Sequence, residues 1–508
     1  MFRPSPRRII SRLTRLDSLP RYSGGGLGRG FAQLAHFLHN PLPSPPPEYR
    51  GREKSAELRK FGLLSIAVPF SLLSILTGCT IHPSGERAER TASLEAGKPY
   101  ETAIEQRQPT TFPADPTIDD LVQFALLNNG QLEHEYWQWR AAIEQVVRDG
   151  TQPTNLALSA TANASHGSFA WDRTTFTLSN DPMADIVWPS KLSAAAERSL
   201  EDAMAIGARF RKARNELRRD VLNAVSELAL AQELLRLEQA NAGLLGTIAD
   251  LVESRLRTGA ASQRELLVAQ TDLETSRSQV QSLQTQVEQK RFALNVVMGR
   301  HPTDALPADL QVASKNSGIP DDTMLLTTAA QENPDLAAAS HETAARKFDL
   351  QLAKLGYIPD FSLNISADPA GVAQSLGGMI TIPLLRHEAI EAAIAQADAN
   401  LRASKAARKQ LENDIVGRLA SDLIALRDAK RQIDLLESSI EPRVARTIEL
   451  ARADYETGRA TLIDLLGLQR SSIDLKRLTA HLRATAAQNT ADIEAIIGKS
   501  SRQKSNHL

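Results

Sequence analysis

The most reactive side chain of this 508-residue sequence is its one cysteine, Cys79. A single thiol cannot form a disulfide within the chain, a four-cysteine zinc site or an iron–sulfur cluster. It can carry one covalent modification, and the residues around it indicate which one.

Cys79 follows an uncharged apolar stretch, residues 61–76, which basic residues precede. A basic region, a short apolar segment and small residues at its end describe a secretory signal rather than a spanning helix. The order Leu76-Thr77-Gly78-Cys79 resembles a bacterial lipobox, in which the thiol is lipidated and the cysteine becomes the mature N-terminus. Thr80 is not the Asp that retains such lipoproteins at the inner membrane, so an outer-membrane destination and contact with outer-membrane lipid are favoured. The alternative is a buried free cysteine behind a short apolar segment.

Other patterns that carry chemistry are missing from the sequence. The ten histidines show no metal-ligand spacing, and there is no P-loop, dinucleotide fingerprint or nucleophile elbow. The 59 basic and 60 acidic side chains balance, which argues against a nucleic-acid partner. We therefore expect no catalytic residue, no cofactor and no metal, and the protein is predicted not to be an enzyme.

The two ends of the chain are predicted to lie outside the fold. Residues 1–57 are rich in Arg, Pro, Ser and Gly, a composition typical of disorder. Because signal peptides begin near their basic region, this extension suggests a misassigned start codon, with the true start near residues 50–58. Residues 58–79 are the predicted signal peptide and lipobox, residues 80–116 a polar tether and residues 501–508 a disordered tail.

The body of the chain is an internal duplication. Arg255–Gln270 aligns with Asp454–Gln469 at a constant offset of 199, with Thr-Gly, Leu-Leu and Gln in register. Upstream, Ala125–Leu132 aligns with Ala329–Leu336 at an offset of 204. The alignment defines two repeats, residues 117–310 and 321–500.

Each repeat is predicted to contain a short helix, two strands and two long helices. The short helices are expected at Ile118–Arg148 and Asp322–Leu355. Alternation of apolar and polar residues predicts strands at Leu156–Ala164, at Thr175–Leu178 or Asp185–Trp188, at Phe361–Ala367 and at Gly378–Ile382. Long stretches almost free of proline permit long helices over Ser193–Arg257, Ser262–Val297, His387–Glu456 and Thr461–Ile497.

A turn is predicted between the two long helices of each repeat. Gly259 and Gly458 stand where a left-handed residue ends a helix, and Ser262 and Thr461 can cap the returning helix. The result is two long helical hairpins with the glycines at their tips. Helices of about 65 residues span about 100 Å, too long for a compact domain.

Both hairpins are also predicted to be irregular before the tip. Gly243 of the first repeat aligns with Pro442 of the second at the same offset of 199. Because glycine and proline both weaken a helix interior, we expect a local bend or an irregular turn at each of these positions.

The duplicated order and the lipobox together resemble the TolC-type outer-membrane efflux proteins, in their lipid-anchored branch. The resemblance covers about residues 117–500, and it rests on the two repeat starts, on Ile380–Leu384 and on Tyr455–Gly458. It implies a mainly α fold with a small β part. In that fold, duplicated hairpins form an α-barrel, and four short strands per chain contribute to a twelve-stranded outer-membrane β-barrel in a homotrimer.

The same resemblance implies a function. The protein is expected to be the passive exit duct of a tripartite efflux or type I secretion system. A periplasmic adaptor protein and an inner-membrane pump would open it by docking at the hairpin tips. The competing interpretation is a lipid-anchored periplasmic coiled-coil scaffold or adaptor without channel activity, against which the strand pairs and the duplication argue.

The resemblance also assigns roles at the tip of the second hairpin. In the family a Tyr three residues before the tip Gly helps to hold the gate, and an acid six residues after that Gly forms a ring at the constriction. These positions are Tyr455 and Asp464. Gly467 stands where the best-studied pattern has another acid, which predicts a thinner charge ring, and Leu256 replaces the Tyr in the first repeat. The alternatives are a packing role for Tyr455 and, for Asp464, stabilisation of a helix N-terminus.

The adaptor is expected to grip the two tips. Its predicted contacts are Gly259, Gly458, Arg257 and Arg459, with Arg255 nearby. For the arginines, an ordinary solvated charge is the alternative.

Overall fold

The structure, a computed structural model, describes most of the chain beyond the predicted signal segment. The described residues are 80–103, 106–107, 112, 116–165, 168–181, 185–306, 322–368 and 374–498. The predicted extension 1–57, the signal peptide and lipobox 58–79, and the tail 501–508 lie outside the described residues.

Both repeats fold into the same succession of elements. The first repeat contains α2 (Ile118–Asn128), α3 (Gly130–Asp149), β1 (Leu156–Ser165), β2 (Ser168–Asn180), α4 (Pro189–Arg257) and α5 (Gln263–Val297), and α1 (Glu86–Gly97) precedes it. The second contains α6 (Asp322–Glu332), α7 (Pro334–Leu355), β3 (Asp360–Ala367), β4 (Gln374–Thr381), α8 (His387–Leu435), α9 (Glu441–Glu456) and α10 (Leu462–Ile496). We call α4 with α5 hairpin 1, and α8 to α10 hairpin 2. The predicted fold class, mainly helical with a small β part and duplicated long hairpins, is confirmed.

The predicted short helix of each repeat is divided into two, and one asparagine explains the division. The side chain of Asn129 accepts a hydrogen bond from the backbone N–H of Leu132 at 3.0 Å and so caps α3. Its amide also donates to the carbonyl oxygen of Val297 at 3.0 Å, at the end of α5. Asn333 makes the same two kinds of contact in the second repeat, with the carbonyl of Ile496 at 2.8 Å. The asparagine thus ties the start of each repeat to its end.

The segment predicted as a polar tether is partly folded, so the prediction for residues 80–116 needs correction. Helix α1 lies against α3, where the indole N–H of Trp139 donates to Glu89 at 2.9 Å. Arg90 forms an ion pair with Glu144 at 2.7 Å. These polar contacts fix α1 against α3. Farther along, Tyr100 is buried and Phe112 packs against the core, so the segment contributes to the fold.

The four strands form one antiparallel sheet in the order β1-β2-β3-β4. The two repeats meet in it, because β2 pairs with β3 from Phe176↔Ala367 to Ser179↔Asn364. Of the two alternatives for the second strand, Thr175–Leu178 lies inside β2, whereas Asp185–Trp188 contributes only a bridge between Ile186 and Phe361.

The register of the sheet separates an apolar face from a polar one. Since successive side chains point to opposite faces, the paired row Leu158, Leu178, Ile365 and Leu376 lies on one face of all four strands. The neighbouring row lies on the other face and carries small polar groups: Ser159, Thr177, Ser366 and Ser375. A sheet with these two faces suits a boundary between lipid and water.

The long helices differ between the repeats. Helix α4 stays helical through Gly243, so the irregular turn expected there is not found. In hairpin 2 the expected irregularity is confirmed: α8 passes into a π-helical turn, Leu436–Ile440, just before Pro442. Proline cannot donate a backbone hydrogen bond, and a wider turn before it accommodates the loss. No described helix combines the length and apolarity that crossing a bilayer requires.

Candidate gate at the hairpin tips

Both hairpin tips are built by the predicted glycines. Gly259 has a φ of 74° and Gly458 a φ of 78°, which is the left-handed region. In hairpin 1 the N–H of Ala260 donates to the carbonyl of Arg255 at 2.8 Å, and in hairpin 2 the N–H of Arg459 donates to the carbonyl of Asp454 at 2.8 Å. These bonds from the residue after glycine back to the last helical turn define a Schellman motif, which only glycine enters without strain.

The returning helix of each hairpin begins with a reciprocal cap. The hydroxyl of Thr461 accepts from the N–H of Asp464 at 3.2 Å and donates to Asp464 Oδ2 at 2.6 Å. Ser262 and Glu265 form the same capping box in hairpin 1. The hydrogen bonds from the hydroxyl and backbone N–H of Thr461 hold the pKa of the Asp464 carboxyl below its ordinary value. Asp464 therefore caps a helix in this structure, and its carboxylate is also solvent-exposed.

The two tips are joined by an arginine of hairpin 1. Arg255 donates one guanidinium N–H to the backbone carbonyl of Tyr455 and another to that of Ala260 at 3.3 Å. Its Cζ lies 4.6 Å from the centroid of the Tyr455 ring, a cation–π geometry. Arg255 thus holds the end of hairpin 2 through both its backbone and its aromatic ring. We call this contact the Arg255–Tyr455 latch.

Tyr455 is the packing centre of the joined tips. Its side chain is 2% exposed and lies in an apolar cluster drawn from both hairpins. The other buried members of that cluster are Leu245, Ala249, Val252, Ala269, Leu462, Leu465 and Leu466. Burial raises the pKa of the Tyr455 hydroxyl, against the lowering effect of the Arg255 charge. The hydroxyl has no hydrogen-bond partner in the described part of the chain, so the ring and the backbone carbonyl make the contact.

The remaining charged residues near the tips fall into two groups. Arg470 of α10 pairs with Asp272 of α5 at 2.7 Å and adds a second link between the hairpins. Arg257 pairs with Glu253 at 2.6 Å and Arg459 with Asp454 at 3.3 Å, each within its own hairpin and at the surface. The structure therefore places the predicted arginines Arg257 and Arg459 on exposed tips, and gives the linking role to Arg255 and Arg470.

Comparison with known proteins decides the family. The family model of the outer membrane efflux protein matches residues 121–300 and 325–499, one segment in each repeat. The chain belongs to the outer membrane efflux protein family. The predicted outer-membrane location and role as an efflux exit channel are thereby confirmed, and the scaffold or adaptor alternative is not supported.

The relatives of this efflux protein share its architecture at low identity. The pyoverdine export outer membrane protein OpmQ of Pseudomonas aeruginosa is 24% identical, over 75% of this chain and 85% of the relative. The cation efflux system protein CusC of Escherichia coli is 21% identical, over 85% of this chain and 98% of the relative. The crystal structure of the outer membrane protein VceC of Vibrio cholerae superposes with a TM-score of 0.64 at 18% identity, covering 75% of this chain and 96% of that one. The names of OpmQ and CusC give different cargoes, pyoverdine and cations.

In this efflux protein Tyr455 and Asp464 lie at the second tip, and their gate roles stay predictions; the contact of Arg255 with Tyr455 was not predicted. Arg255 and Asp454 are equivalent in the two repeats, yet one is a base and the other an acid. That reversal of charge at matched positions is the signal that could have identified Arg255. Cys79, the predicted lipidation site, lies outside the described residues.

Proposed function

We propose that three copies of this efflux protein form one exit duct across the outer membrane. The observation that carries the proposal is the four-stranded sheet with one apolar and one hydroxyl-bearing face. Among the described strands, β1 and β4 each have only one neighbour. A membrane tolerates such edges only when they close on one another. Three copies supply twelve strands, enough to enclose a lumen.

The long hairpins would continue the lumen into the periplasm as an α-barrel. The duct is passive: an inner-membrane pump supplies energy, and a periplasmic adaptor connects the pump to the exposed tips at Gly259 and Gly458. Arg257 and Arg459 support this assignment, because both side chains lie at the surface beside the tip glycines.

The Arg255–Tyr455 latch holds the duct closed. It fastens the tip of hairpin 2 to hairpin 1, and docking of the adaptor would replace its contacts. The exposed carboxylate of Asp464 would then belong to a ring of three around the axis, where negative potential attracts cations. One carboxylate oxygen serves the helix cap, so the capping role and the ring role are compatible.

Cys79 is proposed as the lipid attachment point. The first described residue, Thr80, lies 3.3 Å from Thr151 between hydroxyl oxygens, and the N–H of Ile81 donates to the carbonyl of Gly150 at 2.9 Å. Strand β1 begins shortly after, at Leu156. Thr80 therefore lies close to the start of the sheet, and a lipid on Cys79, the residue before it, would attach near the membrane. Mass spectrometry of the mature N-terminus tests this: Cys79→Ser should abolish the lipid, and a native protein beginning before Cys79 would refute it.

Planar-bilayer recording of the purified full-length protein tests the duct and its latch. We expect trimers that resist dissociation in detergent and conduct weakly when closed. Arg255→Ala should raise the leak about ten- to a hundredfold, because a hydrogen bond from a charged donor contributes about 1.5–3 kcal/mol. Arg257→Ala is the matched control, since the ion pair of Arg257 with Glu253 lies within its own helix. A monomer without conductance would refute the duct, and an unchanged leak in Arg255→Ala would refute the latch.

A further inference from the structure

A buried carboxylate joins the two hairpins well above the tips. Glu238 of α4 is 2% exposed and lies about 30 Å from Gly259 along the helix. It accepts hydrogen bonds from Ser276 of α5, from Asn241 at 3.2 Å and from the guanidinium of Arg477 on α10. Burial of a charge is unfavourable unless it is paired and hydrogen-bonded. The three helices are therefore held in one register at this level.

The part of α10 around Arg477 is also fixed to the rest of hairpin 2. The hydroxyl of Thr479 donates to Glu441 at 2.6 Å, at the start of α9. Arg483 pairs with Glu437, within the π-helical turn, at 2.8 Å. Arg477 thus binds hairpin 1, while Thr479 and Arg483 bind the start of α9 and the π-helical turn.

Below this level α9 buries little of its surface within the protomer. Of the sixteen residues of α9, only Tyr455 is buried. The π-helical turn interrupts the regular hydrogen-bond ladder at the top of α9, and such turns are points where helices bend. Between that turn and the tip, three polar links join hairpin 2 to hairpin 1 among the described residues. They are the Arg255–Tyr455 latch, the Asp272–Arg470 ion pair and the weaker contact of Gln469 with Asn241 at 3.4 Å.

We propose that Glu238 and Arg477 are positioning residues that form the pivot of the gate. The moving part of hairpin 2 is α9 together with the turns of α10 that precede Arg477. It bends at the π-helical turn, while α10 stays bound to Glu238 of hairpin 1 through Arg477. This inference rests on the proposed gate at the tips. It predicts a boundary: links to hairpin 1 below Arg477 separate on opening, and the link at Arg477 does not.

Cross-linking on either side of that boundary tests the proposal. The full-length trimer carries Arg255→Ala, which opens the latch, together with one pair of introduced cysteines. The pair Glu238→Cys with Arg477→Cys lies at the pivot, and the pair Asp272→Cys with Arg470→Cys lies below it. Each is treated with a short bifunctional thiol reagent, and the leak is recorded in a planar bilayer. The Arg255→Ala protein without added cysteines controls for reaction at Cys79.

We expect the pivot cross-link to leave the Arg255→Ala leak unchanged, and the lower cross-link to reduce it at least about tenfold. Equal suppression by both cross-links, or by neither, would overturn the pivot. Failure of Arg255→Ala itself to leak would instead count against the latch, so the two ideas fail separately.

A second variant covers the case in which the pivot pair does not fold. Glu238→Gln keeps the shape and the acceptor for Ser276 and Asn241 but removes the charge attraction to Arg477. With the latch intact we expect it to raise the leak about tenfold, and cross-linking Asp272→Cys with Arg470→Cys should silence that leak. An unchanged leak in heat-resistant Glu238→Gln trimers would contradict a positioning role.

Discussion

The two hairpins share a sequence pattern but differ in helix continuity and in burial. Helix α4 of hairpin 1 runs for 69 residues without interruption and buries residues along its whole length. The matching part of hairpin 2 is divided by a π-helical turn, and its lower part, α9, buries only Tyr455. Both tips nevertheless have the same glycine turn and the same capping box.

The comparison shows which differences matter after a duplication. The local structure of the tips is preserved, because a left-handed turn and a helix cap depend on a few neighbouring residues. Divergence has instead changed the residues between the hairpins. Where repeat 1 has Arg255 and Leu256, repeat 2 has Asp454 and Tyr455 at the equivalent positions. In the proposed gate, hairpin 1 is the rigid wall that carries Arg255, and hairpin 2 is the moving segment that carries Tyr455.

The largest expected effect comes from removing the Tyr455 ring. Tyr455→Ala deletes the centre of the tip cluster, which should destabilise the closed tip by about 3–5 kcal/mol and produce the strongest leak in bilayer recordings. Tyr455→Phe should remain closed, because it removes a buried hydroxyl that has no partner among the described residues. Leu256→Ala, at the equivalent place in hairpin 1, is the control and should leak little. A leak from Tyr455→Phe equal to that from Tyr455→Ala would show that the hydroxyl holds the gate.

A smaller effect is expected at the tip glycines. An added Cβ meets open space at Gly259 and only the Arg255 guanidinium, 4.0 Å away, at Gly458. The cost of Gly259→Ala and of Gly458→Ala is therefore backbone strain alone, about 1–2 kcal/mol for each. Thermal unfolding of the trimers should show similar losses for both variants. The leak should rise only for Gly458→Ala, and a rise for both would remove the mechanical difference between the hairpins.

The parts of the fold that the sequence predicted are those set by short-range patterns. The glycine turns, the caps at Ser262 and Thr461 and the alternating strands follow from residues close together in the chain. The Arg255–Tyr455 latch and the Glu238–Arg477 pair could not be predicted, because they join residues 200 and 239 positions apart. Their pairing depends on how two long helices lie against each other, and neither local propensity nor periodicity carries that information.

Two local predictions differed from the structure for a related reason. Gly243 was expected to disturb α4, but an exposed glycine weakens a helix by only about 1 kcal/mol, which contacts along the rest of the helix outweigh. Helix α1 was expected to be a tether, but Trp139 and Glu144 of another helix hold it. In both cases packing against a distant element overrode the local signal.

The third prediction concerns the uninterrupted helix. Gly243→Ala should stabilise hairpin 1 by up to about 1 kcal/mol, because alanine is the better helix former and its Cβ would meet nothing within 4 Å. Trimer melting should rise slightly while the leak and its opening remain unchanged, as expected for a rigid wall. Gly417→Ala in α8, also open within 4 Å, is the matched variant above the π-helical turn. Altered gating in Gly243→Ala would show that hairpin 1 also bends.

The smallest effect is a pH dependence that belongs to the second tip. Thr461 holds the pKa of the Asp464 carboxyl below its ordinary value of 3.8. The carboxylate therefore favours the capped tip above pH 3.8, and that contribution is lost as the pH falls through the lowered pKa. Block of the leak by divalent cations should persist through mildly acidic pH and disappear below pH 3.8, the ordinary pKa of the carboxyl. Asp464→Ala should abolish the block at all pH values. Thr461→Ala removes the hydroxyl donor and should move the midpoint of the block toward higher pH, whereas Ser262→Ala in hairpin 1 should not move it. An unmoved midpoint in Thr461→Ala, or full block in Asp464→Ala, would limit Asp464 to the helix cap and make the two tips electrostatically equivalent.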